Sequence, residues 1–483
     1  VRRFPVGLAA AAALLVGESA AAMFKDRPEA PVKRLLANVA RELAKSPDDP
    51  HLLYLAGRTH AVAYAMGDEA TAHAKQPDKG DRGDESAWLP TFGTRNYDLL
   101  RFRGDPDDAR LVHLQEGIRL LRRAAGLTAS NESAKSSSDE RPLLHLELAW
   151  LLDDGSRFAP RLGDPEGGKP PADVTEEERT RYAKAIHGLQ LQSDDLRKSA
   201  LDTLRAAMSR CWPQLVEAAN DKDPAAREKA GDVLVRWWRD QALASYRQAF
   251  AFSRDADAKR DAMVSGEFAV SAESGKAILR LLDGAPDSDP VRAERKSVQE
   301  QLDRMDAIDG MAVTPVIFPV SGRTPLAELL RGERTTRFDV AGDGVARRWP
   351  WPSADAGFLV WTGDGARPVT SGRQLFGSRT WWIFWKDGYE PLAMLDDDGD
   401  GRLSGAELDG IGVWCDLNGD GVCQDGEVRS AADFGIAWIA VSATRREDGA
   451  PANDDGIGLA DGTTRPSYDW TPRSLPEPSA SRP

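Results

Sequence analysis

Two twelve-residue stretches near the C-terminus, DDDGDGRLSGAE over 396–407 and DLNGDGVCQDGE over 416–427, leave the chain the least freedom. Each crowds acidic side chains into a glycine-rich turn, and only the eight residues 408–415 lie between them. A helix rises about 1.5 Å per residue. That interval therefore has no room for one full helix leaving the first stretch and another entering the second. Gly410 and Gly412 break it further. The spacing predicts small elements instead: a short helix over 389–395, an extended entry over 413–415, a brief helix over 430–434 and a strand over 436–441.

Both stretches fit D-x-[DN]-x-[DN]-G-x5-E without a mismatch. Hard divalent cations take oxygen ligands, and calcium takes six to eight at about 2.3–2.6 Å. In the first stretch Asp396, Asp398 and Asp400 offer carboxylates at positions one, three and five. Gly401 permits the sharp turn, Arg402 gives a backbone carbonyl with its charge directed outward, and Ser404 can hold a bridging water. Glu407 closes the set with two oxygens. In the second stretch Asp416, Asn418 and Asp420 take the first three roles, Val422 gives the carbonyl, Gln424 takes the water position and Glu427 closes. Asn418 keeps an oxygen at lower charge. The expected ion is calcium; magnesium demands tighter octahedral geometry. A site this compact suits structural stabilisation better than an opening groove.

The rest of the chain divides by pattern. Leu35, Leu36, Val39 and Leu43 recur at helical spacing, and the SPDDP turn over 46–50 separates them from a second apolar face that includes Leu52, Leu53 and Leu55. Residues 66–110 carry little periodicity and read as an irregular connection. Helices are expected over 112–125, 143–152, 175–189, 195–219, 225–235, 237–250, 265–282 and 291–308, with a polar linker over 130–140. Thr175 with Glu178 forms a capping box. After Met311 prolines bar a helix over 313–320. Nine of the fourteen tryptophans fall between 349 and 470, enough for a separate aromatic core. The fold class expected is α+β. Residues 1–22 are expected to be a signal peptide, 23–310 a helical domain with insertions, 311–444 a small Trp-rich α+β domain carrying the tandem loops, and 445–483 a disordered tail rich in Asp, Gly, Pro and Ser.

Two resemblances add to this. The PDDP turn followed by YLAG over 54–57, LLHLELAWLL over 143–152, and WWRDQALASYRQAF over 237–250 with Ala242, Tyr246 and Ala249, resemble tetratricopeptide-repeat helices. That resemblance implies a scaffold for a protein or peptide partner; a generic helical bundle gives the same pattern. The two acidic loops, with FDVAGDG over 338–344, WTGDG over 361–365 and GRQLFG over 372–377, resemble bacterial exported EF-hand and haemolysin-type calcium-binding proteins. Ala341 stands where a ligand belongs and the 361–365 segment is short, so both upstream segments read as turns. In EF-hand loops the residues before position one and at position eight face the interior. Leu395 and Leu403 hold those places in the first loop, Cys415 and Cys423 in the second. The resemblance thus implies either a disulfide between the two cysteines or two small buried thiols.

Composition narrows function further. A formal net charge of −14 excludes a general nucleic-acid binder, which needs a basic face. Arg2 and Arg3, the apolar run over 6–16 and the small residues Ala20, Ala21 and Ala22 read as an export signal, and no later run is apolar enough to span a membrane. Three cysteines do not make a disulfide scaffold. None of the six histidines forms a metalloprotease or zinc spacing, and nucleotide and nucleophile-elbow motifs are missing. The expectation is a calcium-binding exported protein whose helical part meets a partner. The alternative is a calcium-stabilised extracytoplasmic hydrolase built on a carboxylate pair.

Overall fold

Apolar residues at three- and four-residue spacing organise much of the first part into helices that bury one stripe, while the helices over 50–66 and 141–155 are buried on nearly every side. A computed structural model describes residues 30–66, 106–129, 140–257, 270–283, 285–305, 313–342, 344–363 and 367–475. The expected signal peptide, most of the 66–110 connection and nearly all of the 130–140 linker lie outside these residues. The helices are α1 (Val32–Lys45), α2 (Pro50–Met66), α3 (Asp108–Ala129), α4 (Arg141–Gly155), α5 (Ala159–Leu162), α6 (Glu176–Gly188), α7 (Asp194–Ala206), α8 (Met208–Ala219), α9 (Pro224–Asp257), α10 (Val270–Leu282) and α11 (Asp289–Met305). The capping box forms at α6, where Thr175 and Glu178 satisfy each other's end of the turn. The two helices expected over 225–235 and 237–250 are one, α9, because Arg236 between them breaks nothing. The helix expected over 195–219 splits at Ala207. Gly57 and Gly117 let α2 and α3 touch: a Cβ on Gly57 would lie 2.7 Å from Leu121.

The second part is an antiparallel sheet. Its strands are β1 (Val316–Pro319), β4 (Ala356–Trp361), β5 (Arg402–Ser404), β6 (Ile411–Trp414), β7 (Val428–Ser430), β8 (Ile436–Ala440), β9 (Arg445–Glu447), β10 (Ala450–Leu459) and β11 (Thr464–Asp469), with β2 (Thr335–Phe338) and β3 (Arg347–Pro350) forming a separate pair. The order is β5-β8-β10-β11-β1-β4-β6-β7, and β9 pairs with β10. Short helices α12 (Leu326–Leu329), α13 (Tyr389–Ala393) and α14 (Ala431–Phe434) sit between strands. An N-terminal helical region and a C-terminal sheet region together make the chain α+β. Side chains alternate across the pleat. Val316, Phe318, Leu359, Ile411, Val413 and Cys415 join the core that contains the helices, whereas Ile317, Phe358, Val360 and Trp414 join a second core with Phe338, Trp349 and Trp351.

The expected tail is the main correction. Residues 445–469 supply three strands, and β10 and β11 lie in the middle of the sheet. Tyr468, Asp469 and Trp470 are buried. The polar composition misleads because its glycines are there for contact. A Cβ on Gly456 would fall 1.9 Å from the Ser467 hydroxyl, and one on Gly458 would fall 2.1 Å from the Trp438 indole. The register also shifts between Asn453 and Ile457, which hides the two-residue period.

Charged groups join the helices to the sheet region. Arg58 on α2 is fully buried. It donates to Glu147 on α4 at 2.5 Å and to the Trp382 carbonyl at 3.0 and 2.7 Å, and its guanidinium lies over the Trp150 and Phe384 rings. Trp381 and Trp382 both have positive φ, 55° and 63°, which bulky residues rarely adopt. Nearby, His51 on α2 bridges Glu140 at 3.1 Å and Glu390 on α13, while Lys386 reaches Glu140 at 2.6 Å.

Two outcomes follow from these contacts. Truncation after Thr444 removes central strands and should abolish the cooperative unfolding transition of the sheet region, followed by tryptophan fluorescence. Burial by itself would lower the His51 imidazole, but the hydrogen bonds to Glu140 and Glu390 outweigh it and hold it up to about 9, above the ordinary 6.5. The charged bridge therefore contributes fully below pH 6.5 and is lost as pH rises through 9. Urea midpoints should fall across that window in the natural protein, and the slope should flatten in His51→Gln.

Candidate metal centre

The two acidic loops lie at opposite ends of the sheet order. The first, 396–407, follows α13, carries β5, the outermost strand at one end, and finishes in a single helical turn over 405–408. The second, 416–427, follows β6 and returns as β7 at the other end. The extended entry expected at 413–415, the short helix before the first loop, the brief helix after β7 and the following strand all form. Leu403, at position eight of the first loop, pairs with Ile439 of β8 and not with the second loop.

Like-charged carboxylates packed this closely must be held by donors. Here the loop backbone supplies them, and six of the bonds are common to both loops. The position-one carboxylate accepts from the amides of positions four and six: Asp396 from Gly399 at 2.7 Å and Gly401 at 2.9 Å, Asp416 from Gly419 at 2.7 Å and Gly421 at 2.8 Å. Position three accepts from position five, with Asp398 Oδ1 3.1 Å from the Asp400 amide and Asn418 Oδ1 3.0 Å from that of Asp420. Position five accepts from position seven, Asp400 from Arg402 and Asp420 from Val422, each at 2.8 Å. The closing glutamate accepts from positions two and nine. Glu407 takes the amides of Asp397 at 2.6 Å and Ser404 at 2.9 Å, and Glu427 those of Leu417 and Gln424 at 3.0 Å each. Six bonds recur at the same six places.

Asp396, Glu407, Asp416 and Glu427 are buried, while Asp398 and Asp400 face solvent. One carboxylate oxygen each from Asp396, Asp398 and Asp400 lies within 4.8 Å of the others. The Arg402 guanidinium stacks 4.1 Å from the Trp438 ring centroid, clear of the loop interior, and the Val422 side chain is 58% exposed. The donor set is all oxygen, as a hard cation requires.

Outside support differs between the loops. Trp351 donates its indole N–H to Asp416 at 2.7 Å, from an aromatic cluster with Phe338, Phe358 and Trp414. In the first loop, Asp397 at position two accepts from Arg34 at 2.9 Å and Asn38 at 2.7 Å, both on α1. Burial pushes the Asp397 carboxyl up, but those two donors outweigh it and hold it below the usual range. Sequence reasoning missed Trp351, Arg34, Asn38 and Arg41, since nothing local marks a residue that meets a loop more than sixty positions away.

The cysteines are not bonded to each other. Cys415 continues the inward alternation of β6 and packs in the core with the helices, while Cys423 packs against the second core. The parallel with Leu395 and Leu403, which share one core, fails because Cys415 continues the inward side of β6 while Cys423, in the irregular part of the loop, packs against the other core. The upstream FDVAGDG segment is closed by protein groups. Asp339 accepts from the Gly344 amide at 3.0 Å and the Ser371 hydroxyl at 2.9 Å, and buried Arg373 donates to the Gly342 carbonyl at 2.7 Å. In GRQLFG both glycines serve contact, because a Cβ on Gly372 or Gly377 would fall within 1.8 Å of a backbone carbonyl oxygen. Asp364 and Gly365 of the 361–365 segment lie outside the described residues.

Comparison with known proteins falls on this region. An SPM domain matches residues 327–468, which include both loops and run through the stretch expected to be a tail. Iron-regulated protein FrpA of Neisseria meningitidis serogroup C is 38% identical over 104 residues, 20% of this chain. That alignment spans 9% of FrpA. Among the described residues no helix is long and apolar enough to cross a membrane.

The Trp351 bond supports the buried Asp416 carboxylate. Trp351→Phe should cost about 1–3 kcal/mol, the usual penalty for a lost bond to a charged group, measured by urea unfolding.

Proposed function

We propose that the chain is an exported calcium-binding protein with one EF-hand-type site in each loop. Asp396, Asp398, Asp400, the Arg402 carbonyl and Glu407 would hold the first ion. Asp416, Asn418, Asp420, the Val422 carbonyl and Glu427 would hold the second. The observation that carries this reading is the repeated set of six backbone-to-side-chain bonds, which curls two different sequences around an all-oxygen interior. A bound cation would relieve the repulsion that the amides offset only in part.

The role is structural. The first loop carries edge strand β5 within it and the second joins β6 to β7, so an ion there stabilises strand geometry and has no free pair of full helices to open. The N-terminal sequence supports export, and the resemblance of the helices to tetratricopeptide repeats supports a scaffold role for a protein or peptide partner.

Calorimetric titration should show two calcium ions per chain, and Glu407→Gln with Glu427→Gln should abolish both. An unchanged isotherm in the double variant would sink the assignment. An ion that binds only the folded loops stabilises by mass action, so a chelator should lower the melting temperature read by tryptophan fluorescence.

A further inference from the structure

The first loop is gripped from outside along its whole entry, and by one helix. Three side chains on one face of α1 reach it at i, i+4 and i+7 spacing. Arg34 donates to the Leu395 carbonyl at 2.5 Å, to Asp397 Oδ1 at 2.9 Å and to the Glu407 carbonyl at 3.3 Å. Asn38 donates to the Met394 carbonyl at 2.9 Å and to Asp397 Oδ1 at 2.7 Å. Arg41 donates to the Asp396 carbonyl at 2.6 Å and to that of Asp397. Four successive carbonyls, 394–397, together with the carbonyl of the closing glutamate, thus meet one helix. The adjoining face of α1 carries Leu35 and Val39 into the core that the helices share with one face of the sheet. Position two of the second loop is Leu417, 62% exposed, and no bond from a helix of the N-terminal region to that loop is found among the described residues.

We infer that Arg34, Asn38 and Arg41 are positioning residues for the first loop, so that calcium bound there fastens α1, and the helical region behind it, to the sheet. The inference rests on the calcium reading above. The sign follows from geometry. The five carbonyls converge on α1 only while the loop keeps the curvature that also gathers Asp396, Asp398 and Asp400. Opening the loop breaks both sets of contacts, so the clasp and the ion favour the same conformer. Two states of one element biased from two sides are thermodynamically coupled, and the coupling is reciprocal. Repulsion between the guanidinium groups and the ion opposes this. It is weakened because Arg34 pairs with Asp397 and Arg41 with Glu42 at 3.2 Å. Asp397, which is not a ligand, acts as the receptor for the helix.

The test uses the full chain and calcium alone, with Glu427→Gln isolating the first loop and Glu407→Gln the second. Arg34→Ala/Asn38→Ala/Arg41→Ala should weaken calcium binding about tenfold at the first loop, a typical coupling, and leave the second unchanged, which also shows that the variant folds. Arg34→Lys/Arg41→Lys keeps the charge and loses the planar fork, so it should weaken the first loop as well. Reciprocally, calcium should slow hydrogen exchange of the α1 amides when the first loop is intact, and not in Glu407→Gln. Equal or tighter binding at the first loop in the alanine variant would overturn the inference while leaving the calcium reading standing. Equal weakening of both loops would reduce the clasp to general stability and overturn it too. Absence of any isotherm in both single-site backgrounds would overturn both readings.

Discussion

Arg58 is the charge on which the joining of the two regions depends. A guanidinium removed from water costs several kcal/mol unless its donors and charge are met. Here a carboxylate on α4, the Trp382 carbonyl and two aromatic faces meet them together. The acceptor from the sheet region is a backbone group at a tryptophan with φ of 63°, a conformation with its own cost. Each half therefore needs the other: the helices to satisfy Arg58, and the Trp-rich segment to hold its turn. Removing one partner would leave a buried charge unmet, so the junction cannot be loosened in small steps.

That rigidity sets the working conditions of the loops. The first leaves from α13, which His51 ties to α2, and it is bordered by α1. The second leaves from β6, whose Trp414 packs beside Trp351. One loop is thus supported by helices and the other by the aromatic core. The six bonds they share come from backbone amides whose positions the glycine turn fixes. Different surroundings around one internal design give each loop its own sensitivity to the rest of the molecule.

The glycines of the sheet region follow a related logic. Gly372, Gly377, Gly456 and Gly458 are places where a second chain segment or a large ring approaches too closely for any side chain. In sequence these positions look like flexible punctuation. In the fold they are points of closest contact, which is why the polar, glycine-rich run after Thr444 belongs in the middle of the sheet.

The two acidic loops were legible because each is local: twelve consecutive residues carry the carboxylates, the turn and the amides that orient them. Helical periodicity over α1 and α2 and the helix–loop–strand grammar around the two loops were legible for the same reason. What tertiary structure alone decided was everything set by distant partners. The pairing of Leu403 with Ile439 and not with the second loop depends on strand order. The separation of Cys415 from Cys423 depends on which of the two cores each one packs against. The placement of β10 and β11 depends on neighbours that tolerate no Cβ. The grip of Arg34, Asn38 and Arg41 on the first loop depends on folding that brings residues more than 350 positions apart into hydrogen-bonding distance. Local chemistry is written in local spacing, whereas contacts across the chain are fixed only when burial and backbone pairing choose one packing.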